Sequence, residues 1–388
     1  MNKTVAIVYH YFAHYRAAVM RELLNSDSNR YVLVGDNRDT LESGIKTWTP
    51  ESSEHFIHAP TRFIRKRYLV QPKAINIAFN RKIDTIIYLG DCQYFTTWVS
   101  AFIARLVGKR VLFWTQGWQK PDQRLKGFIR CSFYRLAHGL LLYGNNARNI
   151  ALTKGFKTEN LYVIYNSLDY DAQVSMRKLI TCDDVVAIRT KLFGDASRPM
   201  IVCSSRLVAH RRLDWLFNAL SYLNGDGHPV NLLLIGDGPE RNSLEKMASD
   251  CGLNVCFYGE CYDEMVLAGL IMSANVTVAP GMVGLTAMQS LVYGTPVITH
   301  DDPERQMPES EAITPGVNGD LFHYGDIVDL AHVIRKWTSK PLPDDQTRIS
   351  CYKIIEKYYN PTFQKKIIER AVAGLPALSP ETICQEIN

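Results

Sequence analysis

Two arginines and a glycine-marked loop carry the strongest chemical signal in this 388-residue sequence. Arg206 closes the apolar run MIVCSSRL, and Arg211 follows it in the polar stretch that comes next. Farther along, VTVAPGMVGLTAMQSLVYGTPVITH (276–300) sets Pro280-Gly281 and Gly284 just ahead of a helix-like segment. Glycines there let backbone N–H groups approach an anion where the helix dipole favours negative charge. Guanidinium groups supply fixed positive charge in a planar fork that matches phosphate oxygens. A phosphate-bearing ligand held by Arg206, Arg211 and the backbone of Gly281, Met282, Val283, Gly284 and Leu285 is the chemistry this pattern suits. The plainer account of His210-Arg211-Arg212 is a solvated run of charge. Gly236-Asp237-Gly238 is a second candidate loop, although a glycine-bracketed turn after a strand has a purely structural account as well.

The elements that must hold these residues follow from the punctuation of the chain. Val5–Tyr9, YVLVGD (31–36), DTIIYLGD (84–91), KRVLFWTQGW (109–118), the LLLYGNN run from 140 and LYVIYNSLD (161–169) read as strands or strands with their loops. Helical patterns alternate with them: one from about Arg16, WVSAFIARLVG, and LKGFIRCSFYRLAHG (125–139). Residues 40–75 are irregular and then basic, and roughly 170–197 is expected to be a stretch of lower order. The alternation restarts at MIVCSSRL and continues through LDWLFNALSYLN, VNLLLIGDG, RNSLEKMASD, NVCFYG, DEMVLAGLIMSA and the loop unit at 276–300. DIVDLAHVIRKWTSK and the terminal stretch CYKIIEKYYNPTFQKKIIERAVAGL are helical. Strands alternating with helices at this spacing predict α/β architecture with doubly wound parallel sheets. The chain length points to two domains, 1–180 and 190–350, with 351–376 packing back on the first. Ligands of such sheets bind beyond the carboxyl ends of the strands, which places the expected site in a cleft between the halves.

Composition excludes several classes. Hydrophobic residues at 46% and charged residues at 21% suit a globular enzyme. Nine cysteines form no CxxC pair, and the even spacing of Cys251, Cys256 and Cys261 exceeds usual ligand spacing, so neither a disulfide framework nor a metal site is expected. The cysteine usage suits a reduced, cytoplasmic location, and MNKTVAIVYHYF enters a strand without a small-residue cleavage site, so no signal peptide is expected. No Asp, Glu, Lys or Arg occurs from Met265 to His300. Pro280-Gly281, Gly284 and Gly294-Thr-Pro296 break any membrane-crossing helix there, so the stretch reads as the buried centre of a parallel sheet.

The second half resembles glycosyltransferase family four. The matching pieces are Ser205-Arg206-Leu207, Arg211-Arg212-Leu213-Asp214, IGDGPE (235–240), FYG (257–259) and PGMVGL…YGTPVI, in order over roughly 190–325. The first half resembles the family more weakly, through HYR (14–16), WTQGW (114–118) and YNSLD (165–169). The resemblance implies the GT-B fold, with two Rossmann-like domains facing a cleft. It further implies a retaining transfer of a sugar from a nucleotide-diphosphate donor, UDP- or GDP-linked, with no metal or other cofactor. Arg206 and Arg211 would then hold the departing diphosphate, Arg211 standing where the family usually has lysine. Gly236 and Gly238 would lie near the nucleotide, and Tyr258 near the base. Two glutamates usual in the family fall at Gly281 and Gln289, leaving backbone and amide contacts where carboxylates are the rule. Glu309 falls where an acid often faces the donor, and a helix N-terminal acid is the plainer account. No aspartate pair of the GT-A type is evident, Asp301-Asp302 being the nearest.

From the first half, Gln116 and Asp91 end strands and are candidates for the catalytic cleft, while His14 and Arg16 are candidates on the acceptor side. Each has an alternative as a loop-backbone partner. RFIRKR (62–67) and the helix bearing Arg124, Lys126, Arg130 and Arg135 interleave cations with Phe63, Phe128, Phe133 and Tyr134, a composition suited to an anionic membrane surface and a lipid-linked saccharide acceptor. A nucleic-acid-binding module is absent. The expected function is sugar transfer in bacterial surface polysaccharide synthesis, at the inner face of the plasma membrane. The alternatives are a GT-B nucleotide-sugar epimerase and a catalytically silent nucleotide-sugar-binding protein.

Overall fold

Short apolar runs bounded by turn residues become the strands of two parallel sheets in the computed structural model, which describes residues 3–39, 45–64, 68–120, 122, 124–380, 382 and 384. The chain divides into one unit of Met1–Asp169 with Tyr358–Asn388 and another of Tyr170–Lys357.

In the first unit the strands are β1 (Lys3–Tyr11), β2 (Asn29–Asp36), β3 (Phe56–His58), β4 (Arg62–Ile64), β5 (Tyr68–Val70), β6 (Thr85–Leu89), β7 (Arg110–Thr115), β8 (Gly139–Leu142) and β9 (Leu161–Val163). The helices are α1 (Ala17–Leu24), α2 (Pro72–Phe79), α3 (Phe95–Leu106), α4 (Arg124–Tyr134) and α5 (Asn145–Thr153). Seven strands run in the order β3-β2-β1-β6-β7-β8-β9 with every pairing parallel. Central strands such as β7 bury both faces, so Val111, Leu112, Phe113 and Trp114 are each 0% exposed. The irregular stretch before residue 75 holds an element that the sequence pattern did not show, the antiparallel hairpin β4–β5. Arg65, Lys66 and Arg67 of RFIRKR and the side chains of Phe63 and Arg124 lie outside the described residues.

The second unit begins with helices where lower order is expected. These are α6 (Tyr170–Arg177) and α7 (Cys182–Phe193). The signal overlooked is a capping box at the start of α7: Thr181 Oγ1 accepts from Asp184 N at 3.2 Å and Asp184 Oδ2 accepts from Thr181 N at 2.9 Å. Then come β10 (Met200–Ser204), α8 (Leu213–Gly225), β11 (Asn231–Ile235), α9 (Arg241–Asp250), β12 (Val255–Gly259), α10 (Glu264–Met272), β13 (Val276–Val278), α11 (Leu285–Val292), β14 (Val297–His300), β15 (Gly319–Phe322), α12 (Ile327–Thr338) and α13 (Asp345–Tyr358). The sheet order is β12-β11-β10-β13-β14-β15, again parallel throughout. The uncharged stretch from Met265 to His300 supplies α10, β13, α11 and β14, nearly all buried. Among the described residues no helix is long and apolar enough to cross a membrane.

The terminal helical stretch is two helices. Asn360 breaks it, its side chain accepting from Phe363 N at 2.9 Å to cap α14 (Pro361–Ala373), with Pro361 at the first helical position. Residues up to Lys357 stay with the second unit, whereas α14 packs in the first unit beside α1, through Lys365 and Glu22 at 3.4 Å and a Ser26–Glu369 hydrogen bond.

Candidate functional site

Each sheet has one point at which successive connections leave in opposite directions, and in the second unit it lies between β10 and β13. The loops after those two strands carry Arg206 and Arg211 on one side and Gly281–Leu285 on the other. Parallel pairing aligns the strands, Ile201 with Val276 and Val202 with Thr277, so both loops emerge at the same carboxyl end. Topology alone therefore collects these residues.

The loop after β10 is seated by close backbone packing. A Cβ on Gly236 would lie 2.0 Å from Ser205 O, and one on Gly238 2.4 Å from Leu207 O. Ser205 N donates to Ile235 O at 3.0 Å and Leu207 N to Asp237 O at 3.0 Å. Gly236 and Gly238 thus abut the chain that bears Arg206, and their lack of a side chain sets where that arginine starts. Arg206 is exposed, and its guanidinium has no hydrogen-bond or ion-pair partner among the described residues. Cys203, within β10, is buried, and burial pushes its thiol up to about 11, so it stays protonated and unreactive at neutral pH.

The three residues of the charge run have different fates. His210 is exposed. Arg212 caps α8 in a left-handed conformation, makes a two-pronged bond to Asp214 at 3.0 and 2.6 Å, and lies 3.9 Å from the centre of the Trp215 ring. Arg211 turns to the other loop, Nη1 donating to Met282 O while its buried Nε has no partner. Burial holds its pKa below the ordinary arginine value. A Cβ on Gly281 would lie 2.7 Å from His210 O and 2.8 Å from Arg211 O, so glycine is what lets the two loops touch.

Behind this contact stands a residue that the sequence reading missed. Gln306, 4% exposed, accepts from Val283 N at 3.1 Å and donates to Thr299 Oγ1 at 2.6 Å. Thr299 Oγ1 in turn reaches Ala279 O at 2.8 Å and Gly281 O at 3.2 Å. Nothing in DDPERQMP marks Gln306 out; its role exists only through contacts far away in sequence. It also corrects an expectation, because the Val283 amide is occupied and is not open to an anion. Gly284 (φ 53°, ψ −150°) occupies a region that only glycine adopts readily and starts α11, and the amides of Gly284, Leu285 and Thr286 make no hydrogen bond to protein among the described residues. Thr286 Oγ1 donates to Ser204 O at 2.9 Å, locking α11 to the end of β10. Gln289 follows one turn along the same face as Leu285 and has no side-chain partner.

The remaining candidates divide. Glu309 is buried in the short helical segment Pro308–Ala312 that packs on α11, at its first turn. Tyr258, 40% exposed, sits on the edge strand β12, two strands from β10. Asp301 and Asp302 serve the loops beyond β14 and β15: Asp301 bonds His323 and accepts from Tyr324 N at 3.1 Å, tying the two loops together, and Asp302 accepts from Glu304 N at 2.9 Å within its own.

In the first unit β1, β6 and β7 are neighbours, so His14, Arg16, Asp91 and Gln116 all follow the carboxyl ends of adjacent strands. Gln116 is exposed and without a partner among the described residues. His14 is exposed, with Nδ1 3.3 Å from Lys46 O. Asp91 accepts from Gln93 N at 2.9 Å, which makes it a turn residue. Arg16 is enclosed: its guanidinium bonds Tyr143 Oη and lies 5.3 Å from the Tyr9 ring centre and 5.4 Å from that of Trp114, with Nη1 buried. The expected basic-aromatic surface also changes in detail. Phe133 and Tyr134 belong to the core at 0% and 4% exposure, while Leu125, Phe128 and Ile129 of α4 and Phe95, Phe102 and Leu106 of α3 are exposed apolar residues.

Two parallel α/β units with loops at the switch point define a GT-B-type protein. Anabaena Alr3699/HepE, solved in complex with UDP, aligns over 97% of this chain and 100% of its own with a TM-score of 0.71 at 15% identity. The lipopolysaccharide outer core galactosyltransferase WaaB aligns over 96% and 99% with a TM-score of 0.68 at 16% identity. Residues 186–355, a stretch that is nearly all of the second unit, match the glycosyl transferases group 1 family, in agreement with the resemblance to glycosyltransferase family four. Curated relatives include a GDP-mannose-dependent phosphatidylinositol dimannoside mannosyltransferase of Mycobacterium tuberculosis, 32% identical over 147 residues, 37% of this chain and 36% of the relative. The lipopolysaccharide core biosynthesis glycosyltransferase LpsE of Rhizobium meliloti is 29% identical over 157 residues, 39% of this chain and 43% of that protein. The chain therefore spans well under half the length of these curated relatives.

Proposed function

We propose that the chain is a retaining, metal-independent glycosyltransferase that moves a sugar from a UDP- or GDP-linked donor to a lipid-linked saccharide acceptor in surface glycan synthesis. The observation that carries this reading is the pairing, at the β10/β13 switch point, of the unpartnered Arg206 and the half-engaged Arg211 with the open amides at the start of α11. Breaking a sugar–diphosphate bond leaves negative charge on the departing nucleotide, and fixed cations and amides aimed at that charge lower the barrier. The acceptor hydroxyl attacks the anomeric carbon on the face from which the diphosphate departs. The carbon–oxygen bond electrons pass to the phosphate oxygen, and that oxygen takes the hydroxyl proton. The two guanidinium groups and the amides offset the charge without a metal. Gln289 bonds the ribose through its amide, and Gly281 leaves backbone alone beside the sugar. His14, Gln116 and the segment around Asp91 serve the acceptor side, with Arg16 holding that loop from behind.

Product analysis tests the scheme. Incubation of UDP- and GDP-sugars with saccharide acceptors is expected to give a glycoside whose anomeric configuration, read by NMR, equals that of the donor, at a rate unchanged by a chelator. Inversion or chelator sensitivity would refute the mechanism; an epimerised donor identifies an epimerase, and donor binding without turnover identifies a silent binder.

A location at the inner membrane face rests on the exposed apolar residues of α3 and α4, Phe95, Phe102, Leu106, Leu125 and Phe128, beside Lys126 and Arg105. Phe128→Asp is expected to abolish flotation with anionic vesicles while leaving thermal stability unchanged; equal flotation of variant and parent removes the membrane assignment.

A further inference from the structure

A second site lies at the opposite end of the first sheet. A pocket of about 640 Å³ opens at the amino ends of β1, β6 and β7. Five-residue β6 alone separates it by about 17 Å from the loop that carries Asp91. Lys3, Arg81, Lys109 and Arg110 line it together with one carboxylate, Asp84. That carboxylate accepts from Thr4 N at 2.8 Å. Three of the cations bond neutral groups: Lys3 Nζ donates to Val372 O at 2.9 Å, Lys109 Nζ to Asn80 O at 2.7 Å and to Ile83 O, and Arg110 Nε to Ala371 O at 2.6 Å, with a further side-chain bond between Arg110 and Tyr162. Carbonyls orient these groups without cancelling their charge. Arg81 is exposed and has no partner among the described residues. Thr85 is also among the lining residues, and its hydroxyl is buried with no hydrogen-bond partner, a state that costs free energy. Phe79 and Val107, 58% and 49% exposed, form an apolar side.

We propose that this pocket binds a phosphate-bearing ligand, the phosphate held by Arg81, Arg110 and Lys109 and the organic part resting on Phe79 and Val107. The four cations are donors only and the orphaned hydroxyl can donate as well, which is the set a phosphate accepts from and a neutral sugar does not need. The site is separate from Arg206 and Arg211 and stands whether or not the proposed transfer is correct. A soluble phosphate ester and a phospholipid headgroup present the same chemistry.

Calorimetric titration with inorganic phosphate and glycerol 3-phosphate, at ionic strength fixed with chloride, separates this pocket from the donor site when run on the parent protein, Arg206→Ala and Arg81→Glu. The parent and Arg206→Ala are expected to bind alike, and Arg81→Glu at least about tenfold more weakly, as the loss of a charge-assisted contact requires. Thr85→Val, nearly isosteric, is expected to keep the melting temperature and weaken binding severalfold. If the soluble probes fail but vesicles containing phosphatidylglycerol float the parent and not Arg81→Glu, the headgroup is the ligand. Equal behaviour of parent and Arg81→Glu with all three probes, or binding of none of them, overturns the proposal.

Discussion

Arg206→Ala is expected to lower kcat/KM for the nucleotide-sugar donor by about 10²–10³-fold, the loss found when one group that stabilises developing negative charge is removed. The melting temperature is expected to stay unchanged, because the Arg206 side chain is exposed and bonds nothing in the described structure. That combination separates a functional arginine from a solvated one, whose removal would alter neither quantity. Arg211→Ala makes an informative partner. It removes a second cation and also the bond to Met282 O, so it lowers affinity for UDP or GDP and loosens the loop that starts α11. Arg206→Lys keeps the charge without the fork and is expected to recover part of the rate. Calorimetry with UDP and GDP, alongside steady-state rates, checks all three; unchanged affinity in both alanine variants would remove the donor assignment.

The parts of this site that were legible in the sequence are those encoded locally. A strand ending in arginine, a glycine-marked loop and a helix are each written in a dozen contiguous residues, and the alternation of strands with helices fixed which loops share the carboxyl end of a sheet. Contacts between distant positions were not legible. Gln306 reaching Val283, and Arg211 reaching Met282, depend on which loops the sheet order brings together. Phe133 and Tyr134 look like surface aromatics in a basic helix, yet they face the core, stacking with Phe113 and meeting Trp118 edge-on. Arg16 reads as a loop cation, and the Trp114 ring that helps to enclose it comes from β7, two strands away from β1. The helices at 170–193 were hidden differently: their local signal, Thr181 with Asp184, was present, but weak amphipathic patterning masked it.

Gly236 is where local chemistry and tertiary contact meet, and Gly236→Ala carries the second large effect. Its backbone has φ +129°, which side-chain-bearing residues rarely adopt, and an alanine Cβ would sit 2.0 Å from Ser205 O. Neither a rotamer change nor a small side-chain shift relieves a clash with backbone, so the loop bearing Arg206 must move. Strain plus overpacking sets a cost of about 2–5 kcal/mol. Gly259 provides the control, since it shares a bridge with Gly236 and also has positive φ, at +86°, but a Cβ there meets nothing within 4 Å. Gly259→Ala therefore bears only the conformational cost, about 1–2 kcal/mol, and leaves the Arg206 loop in place. In urea unfolding Gly236→Ala is expected to be the less stable of the two, and in calorimetry it alone is expected to lose nucleotide affinity. If both variants unfold alike and bind alike, the close packing of Ser205 on Gly236 does not position Arg206, and the turn at 236–238 is no more than a turn.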